Sequence, residues 1–278
     1  MWQTLEPLHA LTYFAPETRA ETEALGLRGG WMAYFGCRAA ALGAVPPAVV
    51  TATFYGFHPR MVARAIPDAW SHAAPEQLLA ARRRAVDAAL RRLLGQHCAG
   101  PEVAEAAELA RAAAAAAPTA GRPLGAAHAA LDWPAEPHLV LWQACTVLRE
   151  SRGDGHVAAL VTADIGPCES HILLSAAGGP TATLLRSNRG WSDEEWAAAV
   201  VGLQRRGWVD PTGQLSEAGR AARDGVEART DELSAAPWAA LGEAQTARLS
   251  ALGAALSGAV FEAGGLPLPN PMGLQPVR

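Results

Sequence analysis

Residues able to move protons near neutral pH concentrate in two stretches of the chain. The first is Arg149-Glu150-Ser151-Arg152-Gly153-Asp154-Gly155-His156. An imidazole titrates near neutrality, and a neighbouring carboxylate fixes which ring nitrogen carries the proton. His156 is therefore the candidate acid/base or ligand-binding group, with Asp154 or Glu150 setting its tautomer and Arg149 beside them. A plain alternative is that Gly153 and Gly155 make a tight turn, from which Asp154 caps a helix starting near His156. The second stretch is Cys168-Glu169-Ser170-His171, after Gly166-Pro167. Glu169 at a helix start is favoured electrostatically whatever else it does. His171, followed by Ile172-Leu173-Leu174, is expected to be half-buried.

Other chemistries are excluded by what is missing. All 23 basic residues are arginine, so no lysine is present for a Schiff base or a phosphate-binding loop. There is no GxGxxG after a strand, no GxSxG elbow and no HExxH. Cys37, Cys98, Cys145 and Cys168 form no CxxC pair and read as buried, inert thiols. The net charge of −4 gives no overall pull toward nucleic acid. No basic leader precedes an apolar core, and no apolar run approaches the ~18 residues of a membrane span. The expectation is a cytoplasmic protein with no membrane partner.

The elements that must position these groups are helical. A helix is expected over residues 18–44, with Thr18 and Glu21 in a capping-like arrangement. Pro46-Pro47 opens another at about 48–56, and Pro75-Glu76 opens an arginine-rich helix to about Leu94. A further helix covers about 102–117, before a Pro/Gly linker at 118–125. From Pro137 the order of landmarks recurs. Trp31 and Trp142 each precede a Val-Thr-Ala triplet by 19 residues. His58 and His171 follow the triplets, Trp70-Ser71 and Trp191-Ser192 come next, and Gly100 and Gly213 precede long Ala/Arg/Glu helices. This order predicts a duplicated unit.

In the second copy, Trp208-Val209 and Gln214-Leu215 flank Asp210-Pro211-Thr212-Gly213, and Ser216 caps a helix. Helix, short hairpin, helix resembles the end of the winged-helix regulators of the MarR family, over about residues 140–256. The whole chain is more similar to an actinobacterial helix-turn-helix family of unknown function. That likeness rests on residues 152–160 (RGDGHVAAL), 189–196 (RGWSDEEW) and 230–233 (TDEL). The resemblance implies an all-α fold, mainly helical with short β-wing hairpins, as tandem winged helix-turn-helix-like repeats. The expected boundaries are 1–125, 126–262 and a flexible tail at 263–278. The chain would then be a monomer with internal pseudo-symmetry, or a homodimer.

Such regulators place a helix in the major groove. Here the second copy's helix begins Ser192-Asp193-Glu194-Glu195, which repels phosphate, so DNA binding would fall to Arg82, Arg83 and Arg84 in the first copy. A small-molecule ligand between the halves is the leading expectation, bound alone or turned over without a cofactor. Its candidate walls are Trp31, Phe57, His58, Trp142, Arg149, Glu169 and His171. MarR-like regulator function is the alternative. Paired His58 and His171 holding a metal or haem is a further one, unsupported by any HxxxH or HxH spacing, so no metal site and no cofactor is assigned.

Overall fold

Proline sets where many of the helices begin, because its fixed φ suits a first turn and its missing N–H is not needed there. The computed structural model, which describes residues 1–276, opens with α1 (Trp2–Phe14) and α2 (Pro16–Ala24). Next come α3 (Gly29–Ala39), α4 (Pro47–Phe54) and two short helices, α5 (Pro59–Ala63) and α6 (Asp68–His72). Long helices α7 (Pro75–Leu94) and α8 (Pro101–Ala115) follow, and short α9 (Pro123–Ala129) leads into α10 (Pro137–Thr162). The chain continues with α11 (Pro167–Ala176), α12 (Ala182–Arg189) and α13 (Asp193–Arg205). It finishes with α14 (Glu217–Leu233), α15 (Ala236–Leu241) and α16 (Glu243–Glu262). The proline-opened spans of α4, α7 and α8 lie close to those expected from sequence.

Two expectations about helices fail for identifiable reasons. The single helix over 18–44 is divided into α2 and α3, because Gly26 and Gly29 adopt φ of 86° and 73°, which a right-handed helix does not contain. The turn at Gly153-Asp154-Gly155 does not exist: α10 runs unbroken through it. Close packing explains why glycine is kept there. A Cβ on Gly155 would lie 1.9 Å from Arg122 Nη1. Arg122 itself is fixed, donating to the carbonyls of Ser151 (2.6 Å) and Leu233 (2.9 Å).

The fold is all-α, and the expected β-wing hairpins are absent. Among the described residues there is no strand, only an isolated antiparallel bridge between Val209 and Leu215. The segment is an Asx-stabilised turn: Asp210 Oδ1 accepts from the N–H groups of Thr212 (2.8 Å) and Gln214 (3.0 Å). Val209 and Leu215 are spent as core plugs, and Ser216 at once caps α14 through the Gly219 N–H (3.0 Å). The tandem repeat of winged units is not reproduced either, since its landmarks fall in unlike places. Val50-Thr51-Ala52 lies within α4, whereas Val161-Thr162-Ala163 ends α10. Trp70-Ser71 is inside α6, whereas Trp191-Ser192 forms the bend before α13. Gly100 precedes α8 directly, whereas Gly213 sits in the Asx turn.

Three hydrophobic cores hold the helices. The first joins residues from Leu5 to Leu274, with α1, α8, α10 and α16 around Leu11, Val86, Ala110, Ala144 and Leu249. The C-terminal stretch belongs to it rather than hanging free. Leu266 and Leu274 are buried, and Asn270 Oδ1 accepts from Met272 N–H and Leu274 N–H, both at 3.1 Å. The second core packs α3 to α7 around Phe35, Val50, Val62 and Leu78. The third packs the end of α10 with α11, α13 and α14 around Leu160, Ile172, Leu203 and Val226. Among the described residues no single helix is long and apolar enough to cross a membrane.

Candidate functional site

A cavity of about 760 Å³ opens where the second and third cores face each other. Its walls come from α3, the loop Tyr55–Phe57, the middle of α10, α11, the end of α12, α14 and the C-terminal stretch. A neighbouring cavity of about 500 Å³ shares Arg149 and Arg152 with it, but Trp2, Leu5, Leu148, Pro237 and Trp238 make that one mainly apolar.

The floor of the larger cavity is a buried ion cluster. Arg38, on α3, grips Glu150 of α10 with both prongs of its guanidinium, at 2.9 and 2.8 Å. Its remaining prong donates to the Tyr34 hydroxyl at 3.0 Å. Arg149 also donates to Glu150 and lies 3.7 Å from Glu6. Burial alone would raise the Glu150 carboxyl, but the two guanidiniums overcome it and hold Glu150 well below the usual carboxylate range. Glu150 is thus a fixed anion and not a proton carrier. Arg38 also stacks 4.0 Å over the Phe54 ring, so the aromatic group around Phe54 and Phe57 supports this pair.

The other α10 candidates face separate partners. Asp154 Oδ2 accepts from the Gly125 N–H at 2.8 Å, and burial pushes its carboxyl up to about 6. His156 Nδ1 lies 2.9 Å from Thr230 Oγ1. The Thr230 hydrogen is already committed to the Val226 carbonyl at 2.7 Å. His156 must therefore donate from Nδ1, which leaves Nε2 as an acceptor on the cavity wall. Burial lowers the basicity of the ring, so it stays neutral. The expected trio does not assemble: neither Asp154 nor Glu150 sets the His156 tautomer, because Thr230 does.

The two paired histidines also part company. His171 lines the cavity and donates from Nε2 to the Gly56 carbonyl at 3.0 Å, which also accepts from Trp191 Nε1 at 3.0 Å. Burial and then the nearby Arg189 push its pKa down to about 4. His58 stands behind the wall. Its Nδ1 accepts from the Arg60 N–H at 3.0 Å, so its Nε2 donates to Glu195 at 2.9 Å. Both nitrogens of His58 are thus hydrogen-bonded, and of the pair only His171 lines the cavity. Among the described residues no group of three or more His, Cys, Asp or Glu is placed to hold a metal.

Of the residues singled out from sequence, Phe57, Arg149, Glu150, Asp154, His156 and His171 line the cavity. Trp142 is instead buried in the first core under Arg82, and Trp31 is 39% exposed on the outer side of the aromatic cluster. Glu169 pairs with Arg206 and accepts from the Gly166 N–H. Sequence reasoning missed Tyr34, Arg38 and Arg189. Arg189 carried a faint signal, standing just before the Gly190-Trp191 bend.

That bend joins α12 to α13. Gly190 adopts φ of 78°, and a Cβ there would lie 2.9 Å from Met61 Cβ, so only glycine suits both the turn and the contact. On α13 the outward face is Asp193, Glu194, Ala197, Ala198, Val201 and Arg205, all exposed. The arginines expected to face DNA are mostly engaged. Arg82 is 2% exposed, donating to Thr12 Oγ1 at 2.9 Å and lying 4.8 Å above the Trp142 ring, so it cannot meet a phosphate. Arg84 pairs with Glu21 at 2.7 Å. Arg83 remains exposed, with no carboxylate within 4.0 Å among the described residues.

A protein-family profile described as a helix-turn-helix family matches residues 1–267. No curated protein and no solved structure matches the chain.

Proposed function

We propose, from the premise that the chain belongs to this helix-turn-helix family, that it binds a small molecule in the larger cavity. In this reading the bend between α12 and α13 forms part of the cavity wall and does not read base edges. One observation carries it: polar side chains from five helices converge on one cavity. They are Arg38 of α3, Glu150 and His156 of α10, His171 of α11, Arg189 of α12 and Glu227 of α14. Ligand sites are largely preformed concavities with a few convergent polar groups among apolar walls, which is the arrangement here. DNA reading through the N-terminal part of α13 is disfavoured by Asp193 and Glu194, whose carboxylates would meet phosphates; Arg205, the exposed cation of this face, stands at the far end of the helix.

The test pairs a ligand screen with a DNA assay. A ligand at about 100 times its Kd stabilises by about 2.7 kcal/mol, which raises the melting temperature of a chain this size by about 5–10 °C. We expect such shifts for ligands, weakened by Phe57→Ala, and no salt-dependent retardation of DNA. Retardation abolished by Arg83→Ala, with no compound shifting the melt, would overturn the proposal.

A further inference from the structure

Among the described residues, one cation on the cavity wall has no carboxylate beside it. Arg38 and Arg149 share Glu150, while Arg152 lies 3.5 Å from both Glu227 and Asp231. Arg223 lies 3.4 Å from Asp224 and 4.0 Å from Glu227. Arg189 has no carboxylate within 4.0 Å among the described residues. Its guanidinium sits 4.7 Å from the centre of the Phe57 ring and, among the described residues, makes one hydrogen bond, from Nη1 to the Asn188 carbonyl at 3.2 Å. Burial makes its charge costly, the nearby Tyr34 eases that cost, and Arg38 and Arg149 add like-charge repulsion. A half-buried cation with no carboxylate beside it is the arrangement that a bound anion relieves. The adjacent Tyr34 hydroxyl accepts from Arg38, and among the described residues its own hydrogen has no acceptor.

We propose that Arg189 anchors the carboxylate of a small organic acid whose apolar body lies toward Phe57 and Leu173. The Tyr34 hydroxyl donates to the same carboxylate. This rests on the cavity being a ligand site, and it names the ligand's class. The anchor stands on the bend itself. The Arg189 carbonyl accepts from the His58 N–H at 2.8 Å, and Gly190 follows in the left-handed conformation. Binding an acid therefore braces α12 against the 55–58 loop.

The experiment uses the full chain and matched acid/amide pairs: 2-naphthoate with 2-naphthamide, and decanoate with decanamide. Binding is followed by calorimetry and by amide hydrogen exchange over residues 186–196. We expect the acids to bind at least 10-fold more tightly than their amides. Arg189→Gln should erase that preference, costing the acids about 10- to 100-fold and the amides little. Acid binding should slow exchange across the bend. The substitution also reports without ligand. Removing a half-buried charge with no carboxylate beside it should leave the melting temperature of the free protein unchanged or higher, whereas a structural tether would lower it. Equal binding of acid and amide would overturn the anion anchor and leave the cavity reading standing. Failure of every acid and amide to bind would overturn both.

Discussion

Glu150→Gln removes one negative charge from the floor of the cavity and turns one of the two accepting oxygens into an NH2 that faces a guanidinium donor. The amide keeps the shape of the side chain, and its oxygen still accepts from Arg38. What disappears is the countercharge for two guanidiniums: Arg38 at 2.9 and 2.8 Å, and Arg149. Arg149 then has Glu6 at 3.7 Å, while Arg38 keeps no carboxylate within 4.0 Å among the described residues. At an effective dielectric near 20 each close pair is attracted by about 4 kcal/mol. Breaking a buried pair from one side costs about 3–5 kcal/mol, because the partner's charge stays buried. For a chain this size that is a fall of roughly 6–20 °C in melting temperature. The pH dependence gives an internal check. The folded Glu150 carboxyl is held well below its usual range. Its contribution is therefore complete above the ordinary glutamate pKa of about 4.3 and is lost as the pH falls through the lower folded value. Urea unfolding should show a constant gap between wild type and variant from neutral pH to about pH 5, narrowing in stronger acid. A gap under about 1 kcal/mol at neutral pH, the range of an exposed pair, would refute the ion-cluster argument.

Two further expectations follow from packing and burial. Gly155→Ala should destabilise by about 1–3 kcal/mol, because its Cβ meets the pinned Arg122. Gly153→Ala, whose nearest contact is 3.8 Å, should stabilise α10 by about 0.5–1 kcal/mol. Urea titrations of both variants showing the same sign would undo the account of α10. His171, neutral in the fold with a pKa of about 4, contributes stability that is complete above the free histidine value of about 6.5. That stability is lost as the pH falls from there toward 4. His171→Gln should flatten the decline of unfolding free energy over this window while costing at most about 1 kcal/mol at pH 7.5. An unchanged slope would mean that His171 is not the group titrating.

What could be read from the sequence was local. Pro47 and Pro75 mark helix starts, and Ser216 marks a cap, through chemistry that acts within a few residues, and the structure keeps each of them. The failures are those where distant partners decide. Gly153-Asp154-Gly155 has the composition of a turn, but burial among neighbouring helices and the seat for Arg122 favour a continuous α10 by more than two glycines cost it. The repeat was inferred from the order of Trp, His and Gly landmarks, which says nothing about whether those residues stand on like elements. For the cavity, the polar run 149–156 drew attention because its residue types are unusual together. Arg38 gave no such signal, since only a contact across 112 positions with Glu150 distinguishes it from any other arginine.

The acidic start of α13 is tied into the fold's own contacts. Glu195 caps its own helix, accepting from the Ser192 N–H at 2.9 Å. It also takes His58 at 2.9 Å and Arg60 at 2.7 Å, while Asp193 takes Arg186 at 2.6 Å. Glu195 thus adds to the bonds that already join the bend to the loop, from the His58 N–H to the Arg189 carbonyl and from Trp191 Nε1 to the Gly56 carbonyl. Replacing Glu195 with a residue suited to phosphate would cost His58 and Arg60 their shared acceptor while leaving those bonds in place. Of the three carboxylates at the start of α13, Glu195 reaches the 55–58 loop and Arg60, and Asp193 ties α13 to α12, so two of the three charges serve the fold's own contacts.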